Sequence, residues 1–142
     1  MVRPIFFDGP GVTKIGSIAI SPTTPYFSIV GFGSPVENER LEKVGRTTGW
    51  TWGHAGATCE IQYLNPVGCA NRRKLLCQSY ADYGANAGDS GAPVFRWNTS
   101  LGTAVLVGTH WGRLKLSFGI PIDGIFSKIT QIENDLGFLS LP

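Results

Sequence analysis

The sequence predicts an all-β fold, an antiparallel barrel or sandwich, with one amphipathic α-helix at its C-terminal end. Short runs rich in β-branched and aromatic residues follow one another at regular spacing, divided by Gly, Pro, Asn and Asp turn signals. Past Asp123 the apolar period lengthens, and Ile125, Phe126, Ile129, Ile132 and Leu136 recur at helical spacing.

In chain order the strand-like runs are Lys14–Ile20, Tyr26–Gly31, Leu41–Gly45, Thr47–Trp52, Thr58–Leu64, Lys74–Tyr80, Ala92–Trp97, Thr103–Trp111 and Leu116–Ile122. Branched and flat side chains fill them because such shapes pack well on a pleated surface. "NPVG" (Asn65–Gly68) and "WNTSLG" (Trp97–Gly102) supply hairpin loops. In the last segment Asp123 is placed to cap a helix and Gly137 to end it with a left-handed residue. The opening differs, because "FFDGPGV", "SPTTPY" and "GFGSP" break up two of the runs with Pro and Gly. Residues 1–35 therefore read as a connecting arm on a surface, and residues 36–142 as the β domain.

A chain of 142 residues suits one domain with a sizeable core. Charged residues make up 15%, against roughly 25% in ordinary soluble chains, and the net charge is only +2. That balance argues against nucleic acid or an anionic membrane surface as a partner. The basic cluster Arg72, Arg73 and Lys74 reads as a solvated loop beside a turn. No apolar run approaches the ~20 residues of a membrane span, and "MVRPIFFDGPGV" lacks the apolar core of a secretory signal. Cys59, Cys69 and Cys77 make no Cys-x-x-Cys pair and no histidine stands at zinc-finger spacing, so neither a metal nor a cofactor is expected. One disulfide with a thiol left over and three reduced cysteines are both open. A bridge between Cys59 and Cys77 would close a loop worth about 3 kcal/mol and would persist in an oxidising compartment. Asn98-Thr99-Ser100 is a glycosylation sequon, of consequence only in a host that glycosylates.

The stretch that carries chemistry is "YGANAGDSGAPVFRW", Tyr83–Trp97. Gly88 lets a backbone N–H turn into a cavity without steric penalty. With the N–H of Ser90 it offers two donors to one point, the arrangement that stabilises a developing oxyanion. Asp89, between them, needs a buried cation or donor, which would pin the loop. A serine hydroxyl also needs an adjacent base to become nucleophilic. The plainer reading of these residues is a Ser/Gly/Asp turn entering a strand.

The tetrapeptide follows "VGRTTGWTWG" (Val44–Gly53) and precedes "VGTHWG" (Val107–Gly112), "FGIPI" and the terminal helix. In this order the motifs resemble the second barrel of the chymotrypsin-like serine endopeptidases, above all their bacterial and fungal trypsin-like branch, over roughly Val36–Leu136. The resemblance implies a Greek-key β-barrel in which Ser90 is the nucleophile and the Gly88 and Ser90 amides form the oxyanion hole. It makes His110, Trp111 and Gly112 the segment whose main chain pairs with an extended polypeptide substrate, with Trp111 as a pocket wall. It puts Gly84 and Ala85 at the base of the primary pocket and Gly119 on the opposite wall. None of these is charged, so an apolar or aromatic guest is expected rather than Lys or Arg. The same resemblance implies a Cys59–Cys77 disulfide rather than a pairing with Cys69, and an extracellular location. It gives Asp89 a basic partner: Arg46, or failing that Lys43. Ala92 departs from the family's usual glycine, and Asn86 stands where many animal members carry a bridging cysteine.

The base is the larger departure. The family orders its triad His, Asp, Ser, with the first two on a first barrel. No histidine precedes Val44, and Asp8, the one earlier aspartate, matches the family's pattern poorly. His54 falls in an expected outer loop, and His110 in the substrate-pairing segment. The expectation is a truncated form holding the nucleophile half of a secreted serine endopeptidase, nearly inactive alone. Its first barrel would come in cis or from another chain. The other reading is a non-catalytic module that binds peptides or a partner.

Overall fold

The structure is a computed structural model that describes residues 28–56, 58–64, 73–115 and 121–137. The expected Lys14–Ile20 strand, the Asn65–Gly68 loop, Cys69 and Gly119 lie outside the described residues. The strands are β1 (Ser28–Phe32), β2 (Arg40–Gly45), β3 (Gly49–His54), β4 (Glu60–Leu64), β5 (Arg73–Ala81), β6 (Pro93–Asn98), β7 (Thr103–Lys115) and β8 (Pro121–Lys128), followed by helix α1 (Ile129–Leu136).

Pairing runs β3-β2-β6-β7-β8-β5-β4, antiparallel throughout. The ends of β3 and β5 then meet. Ala55 bridges Ala81, the Gly56 N–H donates to Tyr80 O at 2.9 Å, and the Asp82 N–H donates to His54 O at 3.2 Å. This seam closes β3, β2, β6, β7, β8 and β5 into a barrel and leaves β4 as the outer arm of a hairpin. β1 pairs parallel with β7, Ser28 opposite Thr103 and Phe32 opposite Leu106, off the main circuit.

Strand alternation fills the interior with Leu41, Ala55, Ala81, Tyr83, Val94, Val107 and Phe126, all buried. Lys43, two residues beyond Leu41 on the same face of β2, is buried with them. A smaller cluster of Phe95, Ala104, Val44, Trp50 and Trp97 covers the other side, with the Trp50 and Trp97 rings edge to face at 5.7 Å. Cys59 and Cys77 are joined by a disulfide. The link sits where the β4–β5 register shifts, and Cys77 there takes a left-handed φ of 52°, as an extra residue in a bulge can require.

Several element boundaries differ from expectation. Thr47 and Thr48 form a turn rather than the start of a strand, because their N–H groups donate to the Asp89 carboxylate instead of a ladder. The run expected at Thr103–Trp111 continues to Lys115. The helix does not begin at Asp123: that residue belongs to β8, and Lys128 is the N-cap, without a side-chain cap bond. Ile125 and Phe126, expected on the helix stripe, pair with Gly112 and His110 on β7, and with Tyr80 and Ser79 on β5. Partners on both sides of β8 satisfy its backbone, which outweighs a helical period read from apolar spacing alone. Gly137 does close the helix, with φ at 93° and its N–H donating to Glu133 O at 2.8 Å.

Candidate active site

Ser90 lies exposed on the loop between β5 and β6. The loop is anchored from below by Asp89, which is 1% exposed. Its carboxylate accepts from the Thr47 N–H at 2.8 Å, the Thr48 N–H at 3.1 Å, the Asn86 N–H at 2.9 Å and the Thr48 hydroxyl at 2.6 Å. Lys43 Nζ, buried on β2, completes the set with an ion pair at 3.2 Å and also donates to Thr48 Oγ1 at 2.8 Å. The Asp89 partner is therefore Lys43 and not the expected Arg46. Arg46 lies in the exposed turn after β2, whereas strand alternation turns Lys43 inward. Burial by itself would raise the Asp89 pKa. The Thr48 hydroxyl, the Asn86 and Thr47 amides and the Lys43 charge overcome it and hold the carboxyl well below its usual range.

With Asp89 fixed, its neighbours point outward. Gly88 has φ at +97°, and a Cβ there would come within 2.5 Å of Thr47 Oγ1, so conformation and space both demand glycine. Among the described residues, neither the Gly88 nor the Ser90 N–H has a hydrogen-bond partner, while the Asp89 N–H donates to Asn86 O and the Gly91 N–H to His110 O. Two unspent donors thus flank an exposed hydroxyl.

Neither histidine meets that hydroxyl. Ser90 Oγ donates to Trp111 O across a long 3.4 Å. His110 is 2% exposed inside the barrel, its Nδ1 3.2 Å from the Tyr83 hydroxyl. Burial first, then the charges of Lys43 and Arg113, pull the His110 pKa from 6.5 down to about 4, with Asp89 opposing. Burial, and next the Asp89 charge, push the Tyr83 phenol well above its ordinary value. A neutral imidazole and a protonated phenol share one hydrogen bond in the core. His54 ends β3, exposed, with its ring edge-on to Trp52 at 5.8 Å and its N–H donating to Asp82.

The expected substrate-pairing segment divides. The His110 N–H donates to Ala92 O, and its C=O accepts from Gly91, so both are already engaged in the barrel. β6 leaves β7 after Thr109. From Trp111 to Lys115 the ladder partner among the described residues is β8 alone, and the other edge of Trp111, Gly112 and Arg113 stands open beside Ser90. The Trp111 indole turns the other way, donates to Gln78 Oε1 at 2.7 Å, and lines a groove with Leu64, Leu75, Thr109, Ser127 and Ile132. Gly84 and Ala85 lie on the 82–88 stretch leading to Ser90. The Gly84 carbonyl accepts from the Thr48 and Thr51 hydroxyls at 3.3 and 2.7 Å, and Ala85 packs on the core. Tyr83, Thr48, Gln78 and Arg113 were not anticipated from the sequence. Alternation from Leu41 to Lys43 was the one signal within reach.

Three solved structures share this architecture. A serine protease specific for glutamic acid, described as using a histidine triad in substrate binding, superposes with a TM-score of 0.61 at 19% identity, over 91% of this chain and 62% of its own. The Nocardiopsis protease gives 0.58 at 18% identity, over 80% of this chain and 54% of its own. The chymotrypsin of Cellulomonas bogoriensis gives 0.60 at 15% identity, over 89% and 68%.

The fold is chymotrypsin-like.

At such identities the likeness is one of fold, and this chain spans 62% and 54% of the first two proteases' lengths. No protein-family model and no curated protein sequence matches the chain. Among the described residues of this chymotrypsin-like barrel, no helix is long and apolar enough to cross a membrane.

Proposed function

We propose that this chain carries the nucleophile half of a serine endopeptidase site. Ser90 attacks a peptide carbonyl to form an acyl-enzyme, and the Gly88 and Ser90 amides receive the oxyanion. The observation that carries this reading is the pair of unspent N–H donors held beside an exposed Ser90 by the buried Lys43–Asp89 anchor. The open edge of β7 supports it, since an extended peptide can add there as a strand. With both histidines engaged elsewhere, the proton acceptor comes from a second barrel in cis or in trans. The Cys59–Cys77 disulfide fits the oxidising, extracellular setting in which such an enzyme would work.

External imidazole can stand in for the absent base. The protein is incubated with p-nitrophenyl acetate, with and without imidazole, and the acetylated residue is located by mass spectrometry. The expected result is acetylation of Ser90 that rises with imidazole and is absent in Ser90→Ala. Labelling no faster than that of Ser79, Ser100 or Ser127 would count against a nucleophile. The same outcome, combined with peptide binding that survives Ser90→Ala, would favour a non-catalytic peptide-binding module. The absence of a histidine at Ser90 is the observation on that side.

A further inference from the structure

Arg113 stands two residues past Trp111, on the stretch of β7 that β6 no longer covers. Its side chain crosses to the loop before Ser90, and Nη1 donates to Ala85 O at 2.8 Å. A partly buried guanidinium therefore borders Gly84 and Ala85, the uncharged residues that the resemblance sets at the base of the primary pocket. Uncharged floor residues alone point to an apolar guest; a cation reaching in from the neighbouring strand reverses that expectation.

No carboxylate among the described residues forms an ion pair with Arg113. Asp89 is committed to Lys43 and to loop donors. Asp82 accepts from the His54 N–H. Glu42 and Glu39 pair with Arg40 and Arg96. A guanidinium offers five N–H donors in a planar fork; one is placed on Ala85, and a carboxylate bound side-on takes two. Lys43 is buried and neutralised by Asp89, while the exposed Arg46 guanidinium lies against Gly88. Arg113 is thus a positive charge without an ion-pair partner among the described residues, held at the loop before Ser90.

We propose that Arg113 determines specificity in the Ser90 cleft, and that its guest is an acidic side chain on the residue preceding the bond that Ser90 attacks. This inference rests on the serine endopeptidase reading above. The charged fork selects a carboxylate over its amide isostere, because the amide leaves donors unpaired in a partly desolvated site.

The test uses three capped tripeptide aldehydes ending in the analogues of glutamate, glutamine and phenylalanine. Ser90 Oγ adds to the aldehyde carbon while its proton passes to the former carbonyl oxygen, and a 13C label on that carbon reports the hemiacetal by NMR. Titration gives each affinity. The glutamate aldehyde is expected to bind at least about tenfold more tightly than the glutamine one. The ratio should fall to about one in Arg113→Gln, survive in part in Arg113→Lys, and persist in Arg40→Gln, which removes an exposed cation at the start of β2. Equal binding of the glutamate and glutamine aldehydes, or a preference that survives Arg113→Gln, overturns the inference and leaves the nucleophile in place. Absence of a hemiacetal with all three, with imidazole present as the external base, removes the nucleophile reading, and this inference with it. Should Arg113→Gln fail to fold, the unmodified protein decides through salt: a ratio that does not shrink as ionic strength rises overturns the inference.

Discussion

Lys43 and Asp89 decide whether Ser90 is presented at all. Removing the cation strands a carboxylate at 1% exposure, so Lys43→Met is expected to cost about 3–5 kcal/mol in urea unfolding. Arg46→Ala, in the exposed turn, should stay within about 0.5 kcal/mol. The reverse order would restore Arg46 as the anchor. Both acid-side titrations reduce stability at low pH, over different windows. Asp89 is held below its unfolded value, so its contribution is complete above about pH 4 and is lost as pH falls further. His110 is held at about 4 against 6.5 unfolded, so between those values the unfolded chain binds more protons and stability falls as pH drops. His110→Gln should flatten this upper window, by up to about 3 kcal/mol, in unfolding measured from pH 7 to pH 4. The nucleophile loop was legible because glycine and aspartate have few substitutes where a φ of +97° and a buried carboxylate are needed. Its cation was less so, since Lys43 and Arg46 lie close in sequence and only the pleat decides which one points inward. Arg113 was not legible at all: nothing local in the sequence says that a β7 side chain crosses to the carbonyl of Ala85.

At the scale of elements, most strands were legible because period-two alternation and turn residues agreed. The β8–α1 junction was not legible because Ile125, Phe126 and Ile129 fit a helical stripe, while a strand buried on both faces also carries adjacent apolar residues. Only partners far along the chain choose between them. Lys128 at the helix N-cap gives no side-chain acceptor to the first turn. Lys128→Ser should therefore stabilise the protein by up to about 1 kcal/mol, read as a rise in urea midpoint with unchanged slope. The Cys59–Cys77 bridge closes a separation of 18 residues. Reducing it, or replacing both cysteines by serine, should cost about 3 kcal/mol in chain-entropy terms. A loss far below that would mean that the β4–β5 hairpin holds its shape in the unfolded chain.

At the scale of the molecule, the order of motifs foretold the barrel but not the way it shuts. Closure involves Ala55 and Ala81 from strands that are distant in sequence, and neither small residue advertises its partner. The seam is narrow: among the described residues, one bridge, two backbone hydrogen bonds and the His54 N–H to the Asp82 carboxylate join the ends of β3 and β5. Longer ladders join β2 to β3, β6 to β7 and β7 to β8. A cylinder with one short joint breathes there first. Amide hydrogen exchange at Gly56 and Asp82 should accordingly outpace exchange in the middle of β7. Because Asp82 leads directly into the stretch that ends at Ser90, each opening of the joint slackens the chain beneath the nucleophile. A ligand lying along β7 and gripping that stretch would act as a hoop, slowing exchange at amides it never touches.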